Sequence, residues 1–203
     1  MSDAHAEWEL KAVAPDWETL YDRLLSSGAE LVFEGRLEDR RFDTETGDLI
    51  ARDHVLRLRA YRDTAGRLLR ASLEWKGATE RRAGYKVREE RSTPVGDPDA
   101  TGTILERLGY RVSLAIDRTI AQFSLYGAAV RLERYPRMDD LVEVEGTAHA
   151  IEAAVKATGI ARASFTSDRL AEFVARFEAR TGTRAALSDA EARGGPKQGP
   201  THA

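Results

Sequence analysis

The stretch Glu7-Trp8-Glu9-Leu10-Lys11, close to the N-terminus, sets a pattern that several later segments repeat. Side chains of an extended strand alternate between two faces, so Glu7, Glu9 and Lys11 share one face and Trp8 and Leu10 share the other. Two carboxylates and an ammonium group on one face could bind a cation and hold an anion beside it. Taken alone, the segment also fits a half-buried strand with a solvated polar face.

Length and composition limit the class of protein. The chain has 203 residues, 42% hydrophobic and 32% charged, which is enough for the core of one domain. A net charge of −3 argues against general binding to nucleic acids or membrane surfaces. Cysteine is absent, which excludes disulfides and thiolate metal sites. With no signal peptide and no apolar run that could span a bilayer, a cytoplasmic location is expected.

Four amphipathic helices are predicted from start and stop signals. They begin near Asp16, Asp97-Pro98, Thr147 and Thr166 or Ser167, and they end near Gly28, Gly109, Gly159 and Gly182. Residues 183–203 show no apolar periodicity, so we expect a domain of residues 1–182 followed by a disordered tail, 183–203.

Seven or eight segments, the first stretch included, alternate apolar and charged residues, most clearly 54–61, 68–76, 85–91 and 141–145. An ordinary solvated sheet face mixes in Thr, Ser and Gln, but these polar positions are mostly Arg, Lys and Glu. They are Glu7, Glu9, Lys11, Arg57, Arg59, Lys76, Lys86, Arg88, Glu90, Arg131, Glu133, Glu143 and Glu145. The opposite positions are apolar and need helices to cover them.

A closed antiparallel β-barrel of about eight strands satisfies both faces, with helices outside and a charged lumen inside. This predicts an α+β fold in which Glu9, Arg59, Lys76 and Glu145 converge, while Trp8 and Trp75 lie outside beneath helices. An open sheet with a salt-bridged face is the alternative. Arginines and lysines in a lumen suit a polyanion, and carboxylates suit a hard divalent cation. A metal-complexed polyphosphate would satisfy both.

The order of motifs resembles that of CYTH domains, the triphosphate tunnel metalloenzymes, which include class IV adenylyl cyclases and thiamine triphosphatases. The matching segments are 7–11 (ExExK), Phe42-Asp43, 56–59 (LRxR), 73–77, 86–90, Arg118, 142–145 and Ser164-Phe165. The resemblance covers about residues 6–180. The chain departs from the family pattern at Leu132-Glu133, where Leu-Asp is more usual, and at 138–141, which replaces a Gly-Asp-Phe segment.

The resemblance implies roles for individual residues. Mg²⁺ or Mn²⁺ would be held by Glu7, Glu9, Glu143 and Glu145, with Glu133 as a further ligand. The phosphates would be held by Lys11, Arg57, Arg59, Lys76, Lys86, Arg88 and Arg118. The residues expected to matter most for catalysis are Glu7, Glu9, Lys11, Arg59 and Lys76.

The expected function is that of a metal-dependent triphosphatase that hydrolyses inorganic triphosphate, a nucleoside triphosphate or thiamine triphosphate. A class IV adenylyl cyclase, which makes cyclic AMP from ATP, is the nearest alternative, because the spacing of the motifs fits it equally well. A non-catalytic polyphosphate-binding module is the third. The expected partner is a small-molecule triphosphate, and a homodimer is left open.

Overall fold

The structure, a computed structural model, describes residues 8–82 and 85–195, with the backbone alone at 81–82 and 85–87. The strands are β1 (Trp8–Val13), β2 (Glu30–Asp43), β3 (Val55–Arg62), β4 (Leu68–Lys76), β5 (Glu80–Arg82), β6 (Tyr85–Val87), β7 (Glu90–Pro94), β8 (Arg111–Leu125), β9 (Ala128–Arg134) and β10 (Leu141–Gly146). The helices are α1 (Trp17–Ser26), α2 (Asp48–Ala51), α3 (Pro98–Arg107), α4 (Ala148–Thr158), α5 (Leu170–Thr181) and α6 (Asp189–Ala192), and a 3₁₀ turn spans Arg162–Ser164.

Eight of these strands form one antiparallel sheet in the order β1-β10-β9-β8-β2-β3-β4-β7. Strands β5 and β6 form a separate two-stranded hairpin. The predicted α+β class and the eight antiparallel strands are therefore confirmed. The long central pair, β2 and β8, joins the two halves of the sheet.

The predicted closure of the sheet into a barrel is not observed. Among the described residues, the edge strands β1 and β7 are not hydrogen-bonded to each other. The backbone N–H of Lys11 on β1 donates to the carbonyl of Thr166, and the N–H of Thr166 donates back, both at 2.8 Å. Because Thr166 occupies this edge, β1 pairs with the segment before α5 instead of with β7. The hairpin lies on the same side, with Cα atoms of β6 within 8 Å of β1.

Helices cover one face of the sheet, which we call the outer face. Leu20 of α1 and Ile151 of α4 pack in one cluster with Phe123, Val130 and Val144 of the sheet. Burying each such side chain fully contributes about 1.5–3 kcal/mol. A second cluster places α3 over the β2–β3 part of the same face and comprises Phe42, Leu58 and Leu105. The apolar half of the alternating pattern therefore forms the core.

Three of the four predicted helices begin where the capping residues indicate. The side chains of Asp16, Asp97 and Thr147 accept hydrogen bonds from the backbone N–H three residues ahead, at 2.9, 2.9 and 3.3 Å. The last helix, α5, begins at Leu170, later than the predicted Thr166 or Ser167. Pairing of Thr166 with β1 keeps this segment extended and delays the helix.

The two tryptophans expected outside the lumen differ in their surroundings. Trp8 packs against the cluster beneath α1 and α4, as expected. Trp75 instead lies edge-on to His54, with ring centroids 5.2 Å apart, and a Cβ added at Gly77 would lie 3.1 Å from its indole. Among the described contacts, Trp75 is thus covered by the segments around 54 and 77 and not by a helix.

The predicted disorder from residue 183 onward is wrong for residues 183–195. Ala185 and Ala186 are buried, and Ala186 pairs with Arg137 as an isolated antiparallel bridge. The backbone N–H of Asp117 donates to the carbonyl of Leu187 at 2.8 Å, and α6 follows. The segment is held by main-chain hydrogen bonds and small buried side chains, neither of which produces a periodic apolar pattern. Residues 196–203 lie outside the described residues.

Candidate functional site

The face of the sheet opposite α1, α3 and α4, here called the inner face, carries the charged side chains. Residues directly opposite each other in an antiparallel pair share a face. Lys11 lies opposite Glu143, which lies opposite Arg131, so one row of alternating charge crosses three strands. On the same face, where β2 pairs with β3, Asp39 lies opposite Arg59. The register therefore gathers residues that are distant in sequence.

Ten of these side chains form a continuous series of ion pairs, which we call the charged belt. From β1 to β4 it comprises Glu9, Lys11, Glu143, Arg131, Glu133, Arg118, Asp39, Arg59, Glu74 and Arg57, five acidic and five basic residues. Successive N–O distances lie between 2.7 and 3.8 Å. Alternation of sign offsets part of the cost of removing these charges from water.

At the β1 end, Lys11 lies between two carboxylates. Its Nζ is 3.1 Å from Glu9 and 2.8 Å from Glu143. Burial disfavours the ammonium form, but Glu143 and Glu9 outweigh burial and raise the pKa of Lys11 above its ordinary value. Burial likewise opposes ionisation of Glu143, yet Lys11 and Arg131 hold the pKa of this carboxyl well below its usual range. Both groups are therefore charged at neutral pH.

In the middle of the belt, the carboxylate of Glu133 contacts two arginines and accepts a hydrogen bond from a tyrosine. Its Oε1 is 3.3 Å from Arg118 and 3.5 Å from Arg131, and the Tyr135 hydroxyl donates to its Oε2 at 2.5 Å. Burial and the adjacent carboxylate raise the pKa of Tyr135 well above its usual range. Burial opposes the charge of Arg118, but Glu133 outweighs it and the pKa of Arg118 is raised. The tyrosine thus remains a hydrogen-bond donor.

At the β2–β4 end, one carboxylate is shared by three guanidinium groups. Asp39 is 0% exposed, and its Oδ2 lies 3.3 Å from Arg59, 3.8 Å from Arg118 and 3.9 Å from Arg57. Burial would raise the pKa of Asp39, but Arg59 and Arg57 outweigh it and hold the pKa far below the ordinary value. Glu74 contacts Arg57 at 2.7 Å and Arg59 at 3.7 Å.

The guanidinium groups of Arg57 and Arg59 make their shortest carboxylate contacts through Nε. Arg57 Nε reaches Glu74 at 2.7 Å and Arg59 Nε reaches Asp39 at 3.3 Å, whereas the contacts made through their Nη atoms are 3.9 and 3.7 Å long. A guanidinium has five N–H donors, so both groups retain Nη donors for another acceptor. Phosphate oxygens suit such planar forks.

Apolar side chains bound the belt on the inner face. On one side Leu37, Tyr61 and Ile120 pack together. On the other, Ile116 and Leu141 pack beneath α5 in a cluster that also contains Tyr135, Phe173 and Val174. Such walls exclude water and strengthen electrostatic interactions between them. The charged region is therefore a defined zone and not an open solvated face.

Four further residues to which the resemblance assigns a role in metal or phosphate binding are not part of the charged belt. Glu7 and the side chain of Lys86 lie outside the described residues. Lys76 on β4 forms an ion pair with Glu90 on β7. Arg88 lies in the loop after β6, where its Nε donates to the carbonyl of Gly77 at 2.6 Å and its Nη2 to the carbonyl of Asp53. These bonds use Arg88 to hold the loop, so the structure gives it a positional role that the motif did not indicate.

The acidic residues of the inner face suit a metal ion in their chemistry but not in their present arrangement. In the part of the chain described here, no three histidine or acidic side chains come close enough together to hold one. The chemistry of the donors nevertheless suits Mg²⁺ or Mn²⁺, which prefer carboxylate oxygens. Glu9 and Glu143 already converge on one cation, the Lys11 ammonium, and Glu145 lies opposite Glu9 in the register. A divalent ion would need these carboxylates to turn from lysine.

Sequence reasoning missed several members of the site. Asp39, Arg41 and Tyr135 were given no role, Arg131 was noted only as a charged position, and Glu74 was included only as part of the segments 68–76 and 73–77. Asp39 and Arg41 precede the Phe42-Asp43 motif at alternating positions on one strand, so period-two spacing could have placed them on the inner face. Their partners come from β3 and β8, and only the register between strands reveals them.

No helix in the described part of the chain has both the length and the apolar character needed to cross a membrane.

Comparisons with known proteins identify the fold. No family model and no curated protein matches the sequence. A "putative adenylate cyclase" from Vibrio parahaemolyticus superposes with a TM-score of 0.70 at 17% identity, over 85% of this chain and 99% of that one. A conserved hypothetical protein from Pyrococcus furiosus gives a TM-score of 0.67 at 19% identity, over 83% and 100%. A "putative adenylyl cyclase" from Hippeastrum, whose structure is described as revealing a dominant triphosphatase activity, gives 0.59 at 18% identity, over 90% and 98%.

These likenesses extend over nearly the full length of the other chains. The fold is therefore of the triphosphate tunnel (CYTH) type, as the resemblance in sequence implied.

Proposed function

We propose that the chain is a metal-dependent enzyme acting on a triphosphate, and that it hydrolyses the terminal phosphoanhydride bond. The charged belt is the observation that carries this proposal. Five basic side chains are held between apolar walls on one face, and at least Arg57 and Arg59 keep Nη donors available. Preorganised cationic forks are the main requirement for stabilising a phosphoryl group during transfer.

In this proposal Arg57, Arg59 and Arg118 bind phosphate oxygens through their forks, and Lys11 and Lys76 bind them as point charges. Lysine contributes a compact charge with rotatable donors, while arginine fixes orientation. The apolar clusters beside the belt keep water away from the bound anion except where it attacks. Tyr135, whose pKa is raised, remains protonated and keeps Glu133 oriented.

The acidic side of the belt would hold the metal ion. Glu9, Glu143 and Glu145, together with Glu7 and Glu133, would be its ligands. A bound Mg²⁺ or Mn²⁺ would neutralise charge on the phosphate oxygens and promote attack by water on phosphorus. Lys11 would then leave its carboxylates for the phosphates, since it can serve only one of these partners fully.

We further propose that the inner face becomes the wall of a tunnel. The nearness of β6 to β1 supports this, because the β5–β6 hairpin lies where the hydrogen-bonded sheet is open.

Adenylyl cyclase activity is the second candidate. It is supported by the name of the Vibrio parahaemolyticus protein, a "putative adenylate cyclase", whereas the dominant triphosphatase activity described for the Hippeastrum protein favours hydrolysis. The two reactions differ in the phosphorus attacked and in the nucleophile. The cytoplasmic location, the homodimer and the choice among triphosphates stay predictions.

A product assay tests the proposal. The purified chain is incubated with tripolyphosphate, ATP or thiamine triphosphate, in Mg²⁺, in Mn²⁺ and in excess EDTA. We expect orthophosphate release that needs the metal and is retained in Arg176→Ala, since Arg176 is exposed on α5 and pairs with Asp168, which is not part of the charged belt. Cyclic AMP and pyrophosphate from ATP would identify a cyclase instead. Tight binding without any product would identify a binding module, and neither binding nor turnover would refute the proposal.

A further inference from the structure

Arg41 on β2 is a cation of the inner face that has no ion pair of its own among the described residues; the nearest favourable charge is Asp39, which already pairs with three other arginines. It lies directly opposite Arg57 in the β2–β3 register. Among the described residues, no carboxylate oxygen lies within the 4.0 Å ion-pair distance of its guanidinium, although every basic member of the charged belt has such a partner. Its Nε is shielded from solvent and has no hydrogen-bond partner among the groups described, a feature it shares with Arg118 and Arg131 of the belt, so the absence of an ion pair is what sets Arg41 apart.

The nearest acidic groups on the strand are already engaged. Asp43, two residues along on the same face, accepts backbone hydrogen bonds from Thr44 at 2.8 Å, Leu49 at 2.8 Å and Ile50 at 3.0 Å at the start of α2. Asp39, two residues back, is shared by three other arginines. Neither carboxylate can turn to Arg41 without leaving backbone donors or arginines unpaired.

The electrostatic surroundings of Arg41 are unfavourable to its own charge. Burial lowers the pKa of Arg41, and the charges of Arg57, Arg118 and Arg59 lower it further, against the single attraction of Asp39. Because Asp39 already pairs with three other arginines, the charge of Arg41 is compensated less well than those of the belt, and an anion beside Arg41 would complete its compensation.

The adjacent residue shows the contrast. Arg40 points to the opposite face of β2, where its Nη2 lies 2.7 Å from Asp117 and its Nη1 donates to the carbonyls of Asp39 and Ile116 at 3.3 Å each. The protein thus supplies an ion-pair partner and two carbonyl acceptors to the arginine on one face, but no carboxylate within ion-pair distance to the arginine on the other.

We infer that Arg41 is a further anion-binding residue, whose missing counterion is a phosphate group of the triphosphate. The inference rests on the proposed function and adds to it a residue that the sequence motifs did not supply. With Arg57 directly opposite, Arg41 extends the phosphate site beyond the belt toward the end of β2 that leads into α2. An arginine that served only to stabilise the fold would have a protein partner, as Arg40 has.

The test measures stability and ligand affinity, because loss of a binding residue and loss of a structural residue change these two quantities differently. The variants are Arg41→Gln and its matched control Arg40→Gln, each compared with the wild-type chain. Urea unfolding without ligand measures stability, and titration calorimetry with tripolyphosphate and Mg²⁺ measures affinity. For Arg41→Gln we expect stability equal to or above that of wild type, because repulsion is relieved, and affinity about tenfold weaker or more. For Arg40→Gln we expect lower stability and affinity within about twofold of wild type.

Two results would overturn the inference while leaving the proposed function intact. One is wild-type affinity in Arg41→Gln. The other is a loss of affinity in Arg41→Gln that comes with a loss of stability matching that of Arg40→Gln. If the wild-type chain itself bound no tripolyphosphate, the proposed function would fail, and the inference with it.

Discussion

The carboxylate of Asp39 is surrounded by three guanidinium groups and excluded from solvent. Removing one partner of a buried ion pair costs about 3–5 kcal/mol because the remaining charge is left without compensation. Asp39 has one negative charge for three arginines, so its loss would leave the β2–β4 end of the belt strongly positive. Asp39 is important because it pairs with three arginines, and these partners lie on other strands, so the sequence around Asp39 does not reveal them.

Asp39→Asn should lower the free energy of unfolding at pH 7 by about 3 kcal/mol. The pKa of Asp39 is depressed in the folded state, so its stabilisation is present above the unfolded value of about 3.9 and is lost as pH falls below it. Urea unfolding at pH 7, 5, 4 and 3 should therefore show the gap between wild type and variant narrowing toward acid. Asp99→Asn, exposed on α3, should change stability by at most about 1 kcal/mol. A gap that stayed constant with pH would contradict the assignment.

Glu9→Gln and Arg59→Ala should separate the metal role from the phosphate role. Glutamine keeps the shape of Glu9 but removes the charge that a divalent ion requires, so activity should fall by about 100-fold or more and extra Mg²⁺ or Mn²⁺ should restore part of it. Alanine at Arg59 removes a fork, so KM should rise and added metal should not restore it. Steady-state kinetics over a range of metal concentrations measures both, with Arg176→Ala as the control. Full activity of Glu9→Gln at low metal would exclude Glu9 as a ligand.

At the scale of elements, the sequence predicted the helices and strands well because their signals are local. Capping residues such as Asp97 and the alternation along β3 act within a few residues of where they appear. The open edge of the sheet could not be predicted, since it depends on Thr166 reaching β1, more than 150 positions away along the chain. The segment 85–91, expected as one strand, is split between β6 and β7, and the pairing of β6 with β5 was missed because β5, with three residues, is too short for a pattern.

The segment after α5 was predicted to be disordered because the contacts that hold it produce no periodic apolar pattern in the sequence. Its two alanines are buried, and the α6 region contacts β2 and β8 through Asp189, which accepts from Arg36 and whose N–H donates to Asp117 at 3.0 Å. These are long-range partners. The segment thus behaves as part of the domain and not as an appendage.

Ending the chain after Gly182 should lower the melting temperature by several degrees, since it removes the buried alanines and the acceptor for the Asp117 N–H. Thermal unfolding followed by circular dichroism would measure the change. A chain ending after Gly195 keeps every contact described for this segment and should melt within about one degree of the full chain. Equal melting of both truncated chains would show that residues 183–195 contribute nothing to stability.

For the molecule as a whole, the sequence showed which residue types face inward but not how they pair. The inward arginines and lysines were expected to await a polyanion, and the inward carboxylates a divalent cation. The structure instead shows a belt whose five bases and five acids neutralise each other, with Arg41 outside this pairing. Pairing depends on register and rotamer, which composition does not contain. The sequence thus identified many of the inward charged residues, but it did not show how they pair with each other when no ligand is bound.

This neutrality has a consequence for ligand binding. Triphosphate alone must compete with Glu143 and Glu9 for Lys11, and a divalent cation alone must compete with Lys11 for the same carboxylates. When both ligands bind together, each takes the partner that the other releases. We therefore expect Mg²⁺ and tripolyphosphate together to raise the melting temperature by more than the sum of their separate effects.

Thermal unfolding with Mg²⁺, with tripolyphosphate in EDTA, and with both would measure this coupling. Because tripolyphosphate chelates Mg²⁺ in solution, free concentrations must be matched between samples. Lys11→Met provides the internal comparison: it removes the cation shared by Glu9 and Glu143, so Mg²⁺ alone should stabilise it more than it stabilises wild type. Its coupling between the two ligands should shrink toward zero. Strictly additive shifts in the wild-type chain would mean that the carboxylates and Lys11 do not exchange partners when the ligands bind.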